Sequence, residues 1–578
     1  MVEGENVRSP FSYEGAMVTY NKKKPRPYQE TCVREAIEAL NQQRDLIIQL
    51  PTGTGKTHTY LPIVCNALNV GLRACVLCPT KDNQRQTENH SRDFGCNATP
   101  SIVYGIEEYD CAIKGGRADY LICLEERRKC EEEGRQCEVL QANKQYGESR
   151  FVITNFAKFL SVRPENEFDL IVVDDSHGFE NSVEQRFQSS VRYGKATSLY
   201  EKYKDDTVME NFLGNFVEIF DDIYDAMPPD RLDMRISEDY VKRFAESVVT
   251  TDKVELLKHF RALDKFDRPA CQDIAYFIDA CVRLTMHTFY IRKDYYAPED
   301  PDGAEVISRL SEKFQTEIVR QRFGNARVIF SSGTPGQPII HARSCTFRQY
   351  SPNDLVVVPK EEPPIVKEWF KNLRIFEVED VGSFKDPRTF PKSLDLTLEL
   401  LKRPHVKTLM LFKNYRGQEY ARNMIEKEIK REVGFIDDTF PSEEVKELVD
   451  RSRIILATAS SRLWEGIDIQ GLLLEIIFDL PYIKPPVYME GLQSWRYNKR
   501  KMLMRLQQGI GRLIRQEKDA GVCVVFDDRF IERKQDPLFS DKLRAQVEPI
   551  TSARLVESVR GLLESYVNEG KGSKEGSE

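Results

Sequence analysis

Short apolar runs recur along the chain with polar or turn residues on either side. "LIIQL", "ACVLC", "FVITN", "LIVVD" and "VIFSS" come first, then "TLMLF", "IILAT", "EIIFDL" and "VCVVFD". Runs of about five apolar residues suit strands covered on both faces, as in parallel α/β sheets. Their grouping predicts two such sheets. Between Asp174 and Val328 the alternation gives way to helical spacing. Met209, Phe212, Phe216, Phe220, Ile223 and Met227 follow one another at helical steps until Pro228-Pro229 ends the pattern. A second helix is predicted from Ile274, Phe277, Ile278, Cys281 and Leu284. Both stripes read as core packing, in a helical insertion into the first α/β domain. No internal repeat of solenoid period is visible.

Length and composition add bounds. The chain has 578 residues, too many for one core, since cores stop growing at roughly 250–300 residues. No apolar run approaches the ~18 residues of a membrane span. The start "MVEGENVRSPFSYEG" lacks the basic beginning and apolar centre of a secretory signal, so a reducing interior and no structural disulfides are expected. The net charge of -8 argues against a uniformly basic surface and is silent about a local basic groove. The tail "NEGKGSKEGSE" is expected to be disordered.

Chemistry begins at "LIIQLPTGTGKTH", where an apolar strand leads into Thr52, Gly53, Thr54, Gly55, Lys56 and Thr57. Glycines let backbone N–H groups curl around phosphate oxygens, a following helix N-terminus adds positive potential, Lys56 reaches the β/γ-phosphates and Thr57 can hold Mg²⁺. A glycine of the general phosphate-loop pattern is replaced by Leu50, so the match is to its shorter core. "FDLIVVDDSHGFE" supplies the carboxylates. Asp174 ends a strand and is placed to complete the Mg²⁺ site, and Asp175 to orient the attacking water. Downstream, "QGIGRLIRQ" carries Gln508, Gly511, Arg512 and Arg515, with two guanidinium groups about one helical turn apart. If the second sheet faces the phosphate loop across a cleft, both arginines can stabilise charge on the γ-phosphate.

These segments and others, in order, resemble the motifs of superfamily 2 helicases of the XPD/DinG group. "DDSH" is similar to the DEAH box, "RPYQ" with Arg26 and Gln29 to the nucleotide-contacting motif before the phosphate loop, and "CPTKDNQ" to motif Ia. "TNFAKFL", "SSGTP", "LFKNY", "WEGIDIQG" and "QGIGRLIRQ" resemble the TNHALL-like segment, the SATL motif and motifs IV, V and VI. The resemblance spans about Arg26 to Asp528. It implies two RecA-like parallel-sheet motor domains, the first carrying an iron-sulfur insertion and a helical arch-like insertion. The domains expected are an extension over 1–24, a first motor domain over 25–355 interrupted at 105–145 and 190–320, a second over 356–565, and a tail over 566–578. It further implies that Glu465 and Asp468 couple nucleotide to the nucleic-acid track, that His177 links the nucleotide site to the SATL motif and motif VI, and that Thr80, Lys81, Thr154 and Asn155 grip a strand's backbone.

Cys111, Cys123, Cys130 and Cys137 fall in one highly charged segment. Their Glu, Arg and Lys neighbours argue against thiols buried for packing alone. Their intervals are wider than the paired spacing usual for zinc. The resemblance implies a 4Fe-4S cluster there, because iron-sulfur helicases carry theirs between motif Ia and the DEAH box. Cys75 and Cys78, by contrast, read as small hydrophobes on a strand.

The function implied is ATP-dependent translocation on single-stranded DNA, 5′ to 3′, with unwinding of duplex in repair or replication. ATP, Mg²⁺ and a 4Fe-4S cluster are the expected cofactors. The partners expected are single-stranded and forked DNA, with no membrane. A monomer is expected, recruited by repair or transcription factors, and located with the nucleoid of a prokaryote or in a eukaryotic nucleus. An RNA helicase or remodeller and a slow nucleotide switch are the alternatives. A nuclease is a third, without a separate constellation to support it. Departures from the usual pattern include Asp175 for glutamate, Ser176 for alanine, Phe156 where histidine is common and Gly333 for the alanine of SATL. The missing methylene sets the Asp175 carboxylate roughly 1.5 Å further back unless the backbone compensates, and slow hydrolysis is one outcome.

Overall fold

A computed structural model describes residues 25–569 except 52, 95, 112–129, 131–136, 250–255, 257–258, 260–262, 264–266, 294–298, 334–336, 362, 364–367, 382–388, 403–404, 414, 430–432, 437–441, 459–468, 484–488, 490 and 516. The first sheet is parallel throughout, in the order β11-β1-β10-β5-β2-β4-β3. Its strands are β1 (Asp45–Gln49), β2 (Ala74–Cys78), β3 (Ser101–Val103), β4 (Phe151–Asn155), β5 (Leu170–Val173), β10 (Arg327–Ser332) and β11 (Leu355–Val358). The apolar runs are continuous because both faces are covered. Leu46 and Ile48 enter one core with the phosphate-loop helix, and Ile47 enters the core on the opposite face.

The second sheet is also parallel, in the order β14-β15-β13-β16-β17-β12-β18. It comprises β12 (Leu373–Val378), β13 (Lys407–Phe412), β14 (Val433–Ile436), β15 (Ile454–Thr458), β16 (Leu472–Ile477), β17 (Gly521–Val525) and β18 (Val547–Ile550), again with a core on each side. The two RecA-like domains expected from the sequence are thus present.

The insertion departs from a purely helical expectation. Met209, Phe212, Phe216, Phe220, Ile223 and Met227 are buried, as are Ile274, Phe277, Ile278 and Cys281. Phe216, Phe244 and Phe277 meet ring to ring, each burying an apolar side chain worth about 1.5–3 kcal/mol. Beneath these helices, however, runs a four-stranded antiparallel sheet in the order β6-β9-β8-β7. It is formed by β6 (Gln188–Arg192), β7 (Asp233–Arg235), β8 (His287–Arg292) and β9 (Glu305–Leu310). Its strands show polar residues in alternation and are short, so the helical stripes around them dominate the sequence signal.

Boundaries shift as well. The antiparallel sheet begins at Gln188, β11 carries the first domain past 355, and the last helix runs Ser552–Asn568, so the start of the expected disordered tail is helical. Cys65 and Cys96 are joined as a disulfide, against the expectation of none. The pair links the phosphate-loop helix to the segment after the helix Lys81–Ser91, two elements whose cysteines the sequence pattern had no means of bringing together. Cys75 and Cys78 are fully buried in β2, as expected of hydrophobes. No helix among the described residues is long and apolar enough to cross a membrane.

Candidate nucleotide site between the two motor domains

Strand order brings the site together. β1, β10 and β5 are adjacent, with Ile48 in register with Ser331 and Phe330 with Val173. The segments that leave their C-terminal ends, the phosphate loop, "SSG" and "DDSH", therefore share one sheet edge, where ligands of open α/β sheets bind. Gly53 and Gly55 have φ of 82° and 81°, and Gly55 is the N-cap of the helix Lys56–Asn69. That left-handed backbone favours glycine. Gln29 Nε2 donates to the Thr54 carbonyl at 3.0 Å and Tyr28 Oη to the same oxygen at 2.7 Å, so "RPYQ" props the loop from behind. Arg26 lies over the Trp369 ring, at 5.5 Å from its centroid, and so reaches toward the second domain.

Lys56 Nζ is 2.8 Å from Asp175 Oδ1. Burial alone would lower the Lys56 pKa, but Asp175 and Asp174 outweigh it and hold it above its ordinary value, with Arg515 opposing them. Burial and the neighbouring Asp175 charge push the Asp174 carboxyl up to about 7. Asp175 moves the other way, because Lys56 and His177 outweigh its burial. Its backbone is left-handed, with φ 45°, a conformation that aspartate tolerates better than most residues. The shorter carboxylate is thus compensated in part: it reaches Lys56 directly.

Other expected residues fall around this centre. His177 Nδ1 is 3.4 Å from Ser332 Oγ, the link to the SATL-like segment. Gln508 lies in the last turn of the helix Gly491–Ile510, and Arg512 and Arg515 lie in the turns beyond it rather than on a helix. They nevertheless approach the phosphate loop closely. A Cβ added to Gly53 would fall 2.0 Å from the Arg515 carbonyl oxygen, and Arg512 acts electrostatically on Asp175. Thr57 stands by Tyr60, whose hydroxyl bonds to it and to Asp174. Thr52, Glu465, Asp468 and Cys123 lie outside the described residues.

The expected strand-gripping residues are less uniform. Thr80 caps the helix Lys81–Ser91, accepting from Asn83 N at 3.2 Å, and Lys81 pairs with Glu108 while remaining 43% exposed. Asn155 caps the helix Phe156–Ser161 through Lys158 N at 2.8 Å. Thr154 is wholly buried, and its hydroxyl donates to the Val103 carbonyl at 2.7 Å.

The oxygen ligands Thr57 and Asp174 fit Mg²⁺, a hard cation, and a carboxyl pushed up to about 7 is one that a cation would stabilise. For the cysteines, Cys111, Cys130 and Cys137 are buried and share one small cluster with Val139. Asp110 N donates to Glu138 Oε2 at 2.9 Å and so ties the chain beside Cys111 to that beside Cys137. Thiols gathered in so charged a segment fit a metal centre.

Sequence reasoning missed several residues. Tyr60, fully buried beside Asp174, carried no signal beyond an apolar helix position. Glu180 receives Arg500 Nη2 at 2.7 and 3.0 Å and lies 2.7 Å from Lys501 Nζ, both on the second domain. Its acid, though buried, is held down to about 2 by Lys501 and Arg500. The run "RYNKRK" was its visible counterpart in sequence. Ser176, where alanine is usual, bonds to the buried His341 Nε2 at 2.8 Å. Phe156, where histidine is common, packs edge-on against Phe179 at 5.0 Å.

Comparison with known proteins agrees with this architecture. Residues 397–546 match the helicase C-terminal domain family, and residues 22–209 match the family described as type III restriction enzyme, res subunit. A probable ATP-dependent helicase of Methanocaldococcus jannaschii is 22% identical, over 88% of this chain and 92% of its own length. The ATP-dependent DNA helicase YoaA of Escherichia coli is 34% identical over a short stretch, 14% of this chain and 15% of its own. Among solved structures, an XPD helicase superposes with a TM-score of 0.63 at 15% identity, covering 91% of this chain and all of that one. A second XPD structure gives 0.58 at 14% identity, covering 90% of this chain and 99% of its own.

Proposed function

We propose that this chain, which is an XPD/DinG-like superfamily 2 helicase, hydrolyses ATP to move 5′ to 3′ along single-stranded DNA and to unwind duplex in DNA repair or replication. The observation that carries the reading is the meeting of both domains at the phosphate loop: Lys56 and Asp175 on one side, Arg512 and Arg515 on the other. A nucleotide whose phosphates sit on the loop would be contacted by both, so binding favours closure and hydrolysis removes the bridging charge. Lys56 orients the terminal phosphates, Asp175 orients the attacking water once Lys56 engages phosphate, and Arg512 and Arg515 stabilise the charge that develops.

Thr57 and Asp174 would hold Mg²⁺, which neutralises phosphate charge when bound. Gln29 and Arg26 support the loop and the base side of the nucleotide. The burial of Cys111, Cys130 and Cys137 in one cluster supports a 4Fe-4S cluster, with Cys123 as the fourth ligand expected from the sequence, whose role is to fold a small wedge beside the strand. Lys81, Thr80 and Asn155 are suited to phosphates and sugars, so binding is expected to be independent of base sequence. The chain would act on single-stranded and forked DNA as a monomer.

Strand displacement on duplexes carrying a 5′ or a 3′ overhang tests polarity and substrate together. Unwinding from a 5′ overhang, lost in Lys56→Ala along with phosphate release, is the expected result. Unwinding from a 3′ overhang alone, or stimulation by RNA and not DNA, would overturn it.

A further inference from the structure

The helix that starts at the phosphate loop carries His58 directly after Thr57, and His90 and Asp93 lie where the helix Lys81–Ser91 ends against it. One ligand-capable atom from each of the three lies within 4.8 Å of the others. His58 Nε2 and His90 Nδ1 are 3.2 Å apart, with ring planes at 81°. The same His90 nitrogen is 4.0 Å from Asp93 Oδ2. We propose that these three side chains form a binding site for a divalent transition metal of the zinc class, distinct from the oxygen ligands of the nucleotide site.

Geometry carries the argument. Tetrahedral zinc about 2.0–2.1 Å from each nitrogen separates ligand atoms by about 3.3 Å, close to the observed imidazole edge. The carboxylate edge to His90 is longer, 4.0 Å, and would have to shorten on binding. A hydrogen bond between the rings would account for the first distance only. One cation held among the three atoms would account for both approaches.

The frame is rigid. His58 and Cys65 are two helical turns apart on one face of the phosphate-loop helix, and Cys65 is bonded to Cys96, just past Asp93. Phe94, 5% exposed, stands edge-on to His58 at 5.8 Å. The His90 and Asp93 side chains keep 36% and 20% exposure, which leaves room for a water ligand. Two imidazoles and one carboxylate select zinc, cobalt, nickel or copper over magnesium. Occupancy would tie the first turn after Thr57 to the motif Ia helix.

Calorimetric titration of the full-length protein with zinc chloride, paired with X-ray absorption at the zinc edge, tests the site. The wild type is expected to bind one equivalent more than His90→Ala, through nitrogen and oxygen. Asp93→Asn is expected to weaken that equivalent about tenfold or more, as even outer-shell losses do. Thermal midpoints without zinc establish that the variants are folded, and if His90→Ala is not, the Asp93→Asn affinity decides. Equal stoichiometry and affinity in all folded proteins, or sulfur-only coordination, would overturn the proposal.

Discussion

Removing the Glu180 carboxylate should loosen the junction between the two motor domains. Glu180 opens the helix that follows "DDSHG", and its side chain is 12% exposed between Arg500, also 12%, and Lys501, 3%. Burial opposes its ionisation, yet Lys501 and Arg500 bring its pKa from 4.5 to about 2. A downward shift of that size is worth on the order of 3 kcal/mol. Because the folded pKa is depressed, this stabilisation is fully present above pH 4.5 and is lost as pH falls toward 2, so neutral assays see all of it. Glu180→Gln leaves two buried cations without their anion, a loss of about 3–5 kcal/mol where such pairs have been broken. The second domain's cations lie on the helix that runs into Gln508, so the defect should reach Arg512 and Arg515. The assay is a double-mutant cycle on the kcat/KM of the proposed ATPase with Glu180→Gln, Lys501→Met and the pair. Coupling of about 1–3 kcal/mol is expected, the double variant being little worse than the worse single one. Additive losses would refute the reasoning.

Asp175→Glu tests whether reach or backbone sets the rate. With φ 45° and Lys56 at 2.8 Å, an extra methylene displaces the carboxylate, so phosphate release should fall by about tenfold or more, and a faster rate would count against this account. Glu475, fully buried on β16, is pushed up to about 8 by burial, which Arg512 only partly offsets. Since the folded form keeps a proton that the unfolded chain releases, this residue costs stability increasingly from pH 4.5 to about 8. Glu475→Gln should therefore raise the unfolding midpoint at pH 8 and nearly match wild type at pH 5, whereas a gap independent of pH would speak against the ionisation. Cys130→Ser should impair strand displacement more than ATP hydrolysis, measured on the same preparation, and the reverse order would exclude a wedge role for the cysteine segment.

Continuous apolar runs made both parallel sheets readable, because strands covered on two faces leave few polar interruptions. The phosphate-loop turn and the strand that ends before Asp174 were readable because an apolar run leads into each. The antiparallel sheet beneath the insertion was not. Its strands, such as "QSSVR" and "DMR", are short and polar, and helices supply the stronger period around them. Nor was Thr154 legible as buried, since its place in "TNFAKFL" suggested an exposed loop while its hydroxyl serves the neighbouring strand. Glu180, Arg500 and Lys501 escaped for another reason. Contacts between residues separated by more than half the chain leave no local pattern, and a lone glutamate beside a helix reads as solvated.

Three of the residues that depart from the usual motif pattern, Phe156, Ser176 and Asp175, lie in or against one segment. Phe156 packs on Phe179, Ser176 bonds to His341, and Asp175 turns left-handed to meet Lys56. All surround a segment with a carboxylate on each side of His177, and the two carboxylates do different work. Asp175 pairs within the first domain with Lys56, so a nucleotide bound at the loop as proposed would change its partner. Glu180 pairs across the domains, with the buried ammonium of Lys501 and the buried guanidinium of Arg500. Hydrolysis would therefore release Lys56, Arg512 and Arg515 from their shared charge while leaving the Glu180 contact in place. Opening is then expected as a rotation about that contact rather than a separation of the domains, and weakening Glu180 should cost coordination of the cycle before it costs nucleotide binding.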